Sequence, residues 1–356
     1  MTAAAARIRD LGPLDRDARR ALPAGDVDFL RWLGGSAIAR VAGRDRARTR
    51  AVATLVHGNE PSGLRAVLGW LREGATPATD VVVWIASVEA ALGPPFFAHR
   101  ALPGHRDLNR CFGAAAGAAA AAGDGDAPNR SPEHALAAEA LARLRAARPE
   151  LLVDLHNNTG HNPAYAVGPA ADAAHRAVAA LFGRYFVRSD LALGALVEAT
   201  DPHFPSVTIE CGRAGSAEAD AAARAGLDRL LADAAIPPCP TGALELLVDP
   251  VRVEVRPDVT LAIGDGPVAG AGFTMSADVD RHNFQRLEAG VPIGWVGASG
   301  AWPLLARGAA GEDRARDWFE LRDGRVATRR PLVPIMMTTN PSIARSDCLF
   351  YIVRPA

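Results

Sequence analysis

Four apolar runs in the chain stop abruptly at polar residues: "TRAVATLVH" at His57, "DVVVWIAS" at Ser87, "LLVDLH" at His156 and "SVTIE" at Glu210. Each is short, apolar and nearly continuous, as strands buried on both faces are, and "TRAVATLVH" is β-branched as well. Segments with helical spacing separate them. "SGLRAVLGWLREG" repeats apolar residues at Leu64, Val67, Leu68 and Leu71 and carries Gly74 as its stop signal. In "SPEHALAAEALARLRAARPE", Ser131 is placed as an N-cap with Pro132 at the first helical position. "DAAHRAVAALFGRYF" and "SAEADAAARAGLDRLLADAAI" read as further helices, and "FLRWLGG" and "SAIARVAG" as a short helix and a strand. Strands alternating with helices predict an α/β domain with a largely parallel sheet.

The texture changes near "PPCPTG". Beyond it, "ALELLVDPVRVEVRPDVTLAIGDG" alternates with period two between turn residues. This predicts a boundary at about residue 240, with an α/β domain over 1–240 and a β-rich domain over 241–356. "GDGPVAG", Gly264 to Gly270, could suggest a nucleotide loop, but no helix follows it and it is read as a hairpin turn. "AAAGAAAAAGDGDAPN" is of low complexity and is read as a mobile loop or an irregular alanine helix.

Composition removes several function classes. The 356 residues carry a formal net charge of −1, so no global field recruits nucleic acid or an anionic membrane. No run approaches the ~20 apolar residues of a membrane span. The N-terminal residues lack the apolar core of a signal peptide. Cys111, Cys211, Cys239 and Cys348 form neither a C-x-x-C pair nor a disulfide framework, and are expected to be buried thiols in a reducing compartment. A cytoplasmic protein is expected. All 39 basic residues are arginine, so every cation offers a planar fork suited to carboxylates.

Polar clusters follow the strands: His57 with Glu60; Arg100 with Asn109 and Arg110; Asp154 with His156; and Glu210. In open α/β sheets ligands bind beyond the carboxyl ends of strands, so these clusters are expected to converge. His57 and Glu60 form H-x-x-E on a strand-to-helix turn, where both can reach one zinc ion. His156 is the best third ligand, with His161 as its rival, and Asp154 shares a strand face with His156 and can orient it. Glu210 is placed as a general base and acid beside a metal, or as a strand-end salt bridge. Asn109 and Arg110 read either as a clamp on a substrate carboxylate or, for the arginine, as a structural pair with Asp107.

"VHGNEPSG", "RDLNRCF", "VDLHN" and "TIECG", in this order and at this spacing, resemble the aspartoacylase and succinylglutamate desuccinylase family, a branch of the zinc carboxypeptidase-like hydrolases. The motifs span roughly residues 50–215. The resemblance implies a mixed, largely parallel sheet flanked by helices, with a smaller C-terminal β-rich domain in which "RHNFQRLEAGVPI" resembles a family stretch. It implies one zinc ion on His57, Glu60 and His156, Glu210 as general base, and Asn109 and Arg110 on a substrate carboxylate. Arg100, in "PPFFAHR", falls near the family arginine that stabilises the oxyanion. The implied reaction is hydrolysis of the amide of a small anionic N-acyl amino acid or related carboxylate. The alternatives are a metallocarboxypeptidase acting on short peptides and a binding protein without turnover. No nucleic-acid or membrane partner is implied, and a homo-oligomer is allowed.

The chain departs from the family in places. Ser87-Val88 stands where Asn-Pro is common. "EATDPHFPSV" lacks the arginine that aspartoacylases place ahead of the glutamate, and "MMTTNPSIARSD" lacks their late tyrosine. Arg188 and Arg213 are candidates to replace that arginine. The substrate therefore stays open within the class.

Overall fold

The computed structural model describes residues 8–113, 131–346 and 348–356. The alanine-rich stretch of 114–129 lies outside them. The chain divides into two compact units. The first comprises residues up to Asn157, Ala164–Phe186 and Ala192–Leu244; the second comprises Asn158–Pro163, Val187–Leu191 and Glu245–Ala356. The second unit thus begins at Glu245 and draws in two short segments that a single cut at residue 240 leaves in the first part.

The first unit is a sheet flanked by helices. In chain order its elements are β1 (Arg9–Pro13), α1 (Arg16–Arg20), α2 (Asp26–Leu33), β2 (Ala37–Val41), β3 (Asp45–Thr54), α3 (Ser62–Glu73), β4 (Thr79–Ile85) and α4 (Val88–Leu92). After a 3-10 turn at Leu108–Arg110 come α5 (Pro132–Ala146), β5 (Leu151–Asn158), β6 (Tyr165–Gly168), α6 (Ala173–Ala179), β7 (Tyr185–Arg188), α7 (Leu196–Thr200), β8 (Ser206–Arg213) and α8 (Ala217–Ala232). The strand order is β1-β2-β4-β3-β5-β8-β6-β7. β3 pairs in parallel with both β4 and β5, whereas β2 runs antiparallel to β4 and β6 antiparallel to β8. In register, Val52 lies beside Val83 and Val153, so β3, β4 and β5 end together on one edge. This is the mixed, largely parallel sheet that the alternation of runs predicts.

The helices form where their sequence signals stand. Leu64, Val67, Leu68 and Leu71 of α3 are buried, each worth roughly 1.5–3 kcal/mol relative to exposure. Gly74 closes the helix in the left-handed region at φ 71°, which a glycine adopts without a Cβ penalty. Ser131 caps α5 by accepting from the His134 N–H, with proline in the first turn. One constraint is not visible in the pattern. Arg50 on β3 is fully buried, and its guanidinium donates to Asp233 O (2.8 Å), Ala234 O (2.6 Å) and Glu150 Oε1 (2.7 Å), and also to Leu230 O. It satisfies carbonyls at the C-terminal end of α8, where the helix dipole favours a cation.

In the second unit, β9 (Glu245–Val255) pairs antiparallel with β13 (Leu304–Arg307) and with β17 (Phe350–Pro355), which in turn pairs with β16 (Val333–Ile335). A second sheet has the order β10-β11-β12-β15-β14, formed by Leu261–Gly264, Phe273–Ser276, Pro292–Val296, Arg325–Thr328 and Phe319–Arg322 respectively. "GDGPVAG" is not a hairpin turn. It leads from β10 to β11, which pair in parallel (Leu261 beside Phe273, Ile263 beside Met275). The chain must return the length of a strand, and Val268 N donating to Thr274 Oγ1 (2.9 Å) fastens that return. Among the described residues no helix is long and apolar enough to cross a membrane.

His175 on α6 is buried between two acids, with Nδ1 2.9 Å from Asp172 Oδ1 and Nε2 2.6 Å from Asp201 Oδ1. Burial opposes its protonation, but the Asp172 and Asp201 carboxylates outweigh it and raise its pKa above the ordinary 6.5. Only the imidazolium donates to both acids. The stabilisation is therefore complete below the unfolded value and is lost as pH rises through the folded one. Urea melts of wild type should show a stability loss across that window, and His175→Gln should flatten it. An identical pH slope in the variant would exclude this staple.

Candidate metal centre and active site

The site is built on the turn that joins β3 to α3. Leu55 takes a left-handed φ of 56° just after the strand, and Ala86 N and Ser87 N donate to Thr54 O and Leu55 O, which keeps the turn against the end of β4. Gly58 N then donates to Arg100 O (3.0 Å). A Cβ at Gly58 would lie 2.6 Å from Ala91 N and 2.7 Å from Ala90 C, so only glycine lets α4 pack this closely. The first helical N–H of α3, on Ser62, has no cap from Pro61; it donates instead to Asn157 Oδ1 (3.0 Å) on β5. Asn157 also donates to Ser62 Oγ and to Gly212 O on β8. The ends of β3, β5 and β8 are thereby tied around the turn.

The side chains form a row of alternating acids and imidazoles. Glu60 Oε1 lies 2.8 Å from His57 Nδ1, and Glu60 Oε2 lies 2.8 Å from His156 Nδ1. The outer nitrogens each meet a second acid: His57 Nε2 is 3.0 Å from Asp107 Oδ1, and His156 Nε2 is 2.7 Å from Asp154 Oδ2. The two rings meet edge to face, with centroids 4.9 Å apart. One donor atom from each of His57, Glu60 and His156 lies within 4.8 Å of the others, and all three residues are buried. Zinc bonds of ~2.0–2.2 Å place tetrahedral donors roughly 3.3 Å apart, which is within that limit. Outer carboxylates that fix the imidazoles with Nδ1 inward are the support such ligands need.

The electrostatics follow from burial and from this row. Burial pushes the Glu60 carboxyl up, but His57 and His156 outweigh it and hold it well below the carboxylate range. Burial and Arg100 disfavour a proton on His57, yet Glu60 and Asp107 raise its pKa; for His156, Asp154 and Glu60 overcome burial and raise it further. Three acids around two imidazoles are a set that a divalent cation suits. Glu210 behaves differently. Burial first, and then the Glu60 charge, push it up to about 8, against the pull of His156, His57 and Arg100. Its Oε2 is buried and has no hydrogen-bond partner among the described residues.

The remaining candidates are placed as follows. Arg100 is brought into the cluster, with Nε donating to Asp107 Oδ2 (2.9 Å) and NH1 3.6 Å from Glu60 Oε1. Asn109 and Arg110 lie on the 3-10 turn that Asp107 caps. Asn109 Oδ1 accepts from Leu196 N (2.9 Å) at the start of α7, which leaves its amide N–H groups for other work. His161 is exposed and is not in the metal-ligating group. Arg188 stands 3.8 Å from Asp249, and Arg213 is exposed. All four cysteines are free, but Cys239 is only half-buried, contrary to the expectation for it. Burial raises the Cys111 thiol to about 11, and pushes the Cys211 thiol well above its usual value, so neither is a nucleophile.

Sequence reasoning missed two residues. Asp107 was a possible partner for Arg110 alone, but its oxygens hold His57 and Arg100. Its position one residue ahead of "LNR" marks a cap; the histidine it serves lies 50 residues away and leaves no local mark. Asn157 carries no signal in the sequence beyond its place next to His156, and its partners Ser62 and Gly212 lie 95 and 55 residues away.

Residues 48–232 match the succinylglutamate desuccinylase/aspartoacylase catalytic domain. The chain belongs to this family. The matched span includes His57, Glu60, Arg100, Asn109, Arg110, His156 and Glu210. Similar solved structures include the succinylglutamate desuccinylase from Chromobacterium violaceum, 17% identical over 88% of this chain and 86% of that one, with a TM-score of 0.54. The succinylglutamate desuccinylase/aspartoacylase from Rhodobacter sphaeroides is 15% identical over 90% and 88%, with a TM-score of 0.54. Murine aminoacylase 3 is 14% identical over 88% and 97%, with a TM-score of 0.51. At these identities the likeness is one of fold. A comparison with curated proteins finds no match.

The close approach at Gly58 gives a direct check on the turn of this desuccinylase/aspartoacylase core. Gly58→Ala should cost about 1–3 kcal/mol through forced backbone movement. Denaturant melts of the variant would show it, and an unchanged midpoint would refute the packing argument.

Proposed function

We propose that the chain is a zinc-dependent hydrolase that cleaves the amide bond of a small anionic N-acyl amino acid or a related carboxylate. The observation that carries this reading is the buried cluster of His57, Glu60 and His156, with both imidazoles braced from behind by carboxylates. Membership of a family of hydrolytic deacylases supports it. When bound, zinc supplies Lewis acidity, polarising an acyl oxygen and lowering the pKa of water towards ~7.

The protein's own residues then carry the proton and the charge. Glu210 takes a proton from the attacking water as its oxygen bonds to the acyl carbon. The same carboxyl returns that proton to the nitrogen as the C–N bond breaks, leaving a carboxylic acid and an amine, which exchange the second water proton to give a carboxylate and an ammonium. Its burial keeps it near the pH at which both transfers are feasible. Arg100, held by Asp107, faces the charge that develops on the acyl oxygen; this accelerates the reaction only to the extent that it binds the oxyanion better than the carbonyl. The Asn109 amide and Arg110 hold a substrate carboxylate and so fix the amide in position.

Metal analysis of the purified protein should find one zinc per chain. Glu210→Gln should keep the zinc and lose about 10²–10⁴-fold in kcat. Near-wild-type turnover with any N-acyl amino acid would remove Glu210 from the role, and cleavage of short peptides alone would favour a carboxypeptidase.

Asp107 should act through His57 and Arg100. Asp107→Ala should weaken zinc binding about 10–100-fold in competition with a chelator. Unchanged affinity would show that His57 needs no brace.

A further inference from the structure

The β-rich unit holds a crevice of about 310 Å³. Three of its lining residues are Arg286, Arg330 and Arg354, and none is acidic. The topology brings these arginines together. Leu287 and Leu332 exchange backbone hydrogen bonds (2.8 and 3.0 Å), and on the other side Val333 lies beside Val353. The segment 330–333 is thus flanked by the chain at 286–287 and by the end of β17, so the three guanidinium groups come from three adjacent segments of chain. Arg330 lies over the Trp318 ring, 3.8 Å from its centroid, which holds a long side chain in a defined place. Trp318 also lines the crevice, and its indole N–H is buried without a partner among the described residues.

Arg286 pairs with Glu288 (2.9 Å) and Arg354 with Asp249, and neither acid lines the crevice. A guanidinium has five N–H donors, and a single carboxylate uses at most two. Arg330 has no ion pair among the described residues. The crevice therefore offers unused donors, positive charge and a volume at the lower end of small-molecule sites, roughly 300–1,000 Å³.

We propose that this crevice binds a compact multivalent oxyanion carrying two or more phosphate or carboxylate groups, at a site separate from the His57–Glu60–His156 cluster. Planar guanidinium forks bind such oxygens in pairs. This site does not depend on the hydrolase reading.

The test is calorimetric titration of the full-length, metal-loaded protein with inorganic pyrophosphate and, separately, with tricarballylate, at constant ionic strength. Saturable binding of either anion with one site per chain is expected, and the tighter of the two identifies the head group. Arg330→Gln should weaken it by about tenfold or more, the loss expected for a charge-assisted contact. Arg256→Gln, at a half-buried arginine of the same unit outside the crevice, should bind as wild type does. Arg330 is exposed and Arg256 only half-buried, so melting temperatures should change little. No saturable binding up to about 10 mM, a value on the scale of the weakest specific sites, would overturn the proposal. So would binding that is indifferent to Arg330→Gln.

Discussion

One buried carboxylate organises the first unit. Each oxygen of Glu60 meets a different imidazole, and Oε2 also accepts from Asn157 N at 3.2 Å. An ionised carboxylate out of water costs several kcal/mol unless every lone pair is met. Meeting them requires the ends of β3 and β5 on one sheet edge, a turn tight enough to aim residues 57 and 60 inward, and glycine where α4 presses on that turn. The parallel pairing of β3 and β5 supplies the first condition. Asp107 and Asp154 extend the row outward, so the position of each imidazole is fixed on both of its nitrogens.

Two glutamates of the same cluster are driven in opposite directions. Glu60 sits between imidazoles and is held ionised. Glu210 has its carboxyl in a dry place, near another negative charge, and is pushed up to about 8. Groups with identical intrinsic chemistry thereby become suited to different tasks, one to hold positive charge and one to exchange protons. The difference arises from position on the sheet: Glu60 is on a turn facing two strand ends, while Glu210 is inside β8, opposite Tyr165.

The sheet and its helices were legible because their signals are local. The apolar runs of β3, β4, β5 and β8, the spacing of α3 and the Ser131 cap each depend on a few neighbouring residues. The cluster of His57, Glu60 and His156 was legible because strand ends in such sheets face one edge. Arg50, Asp107 and Asn157 were not, since each works on a group from 50 to 184 residues away and carries no pattern of its own. The parallel pairing of β10 and β11 also escaped, because a glycine-rich link between two short alternating runs has the composition of a hairpin turn whether or not the chain doubles back.

His57 and Glu60 are three residues apart, whereas His156 is 96 residues from Glu60. The first two can approach as soon as the turn forms, but the third arrives only once β5 has docked on β3. Closing so long a loop is entropically costly and belongs late in assembly. A nascent or partly folded chain therefore offers only a loose two-point chelate. Discrimination among metals would need the complete and rigid set, and so the finished sheet.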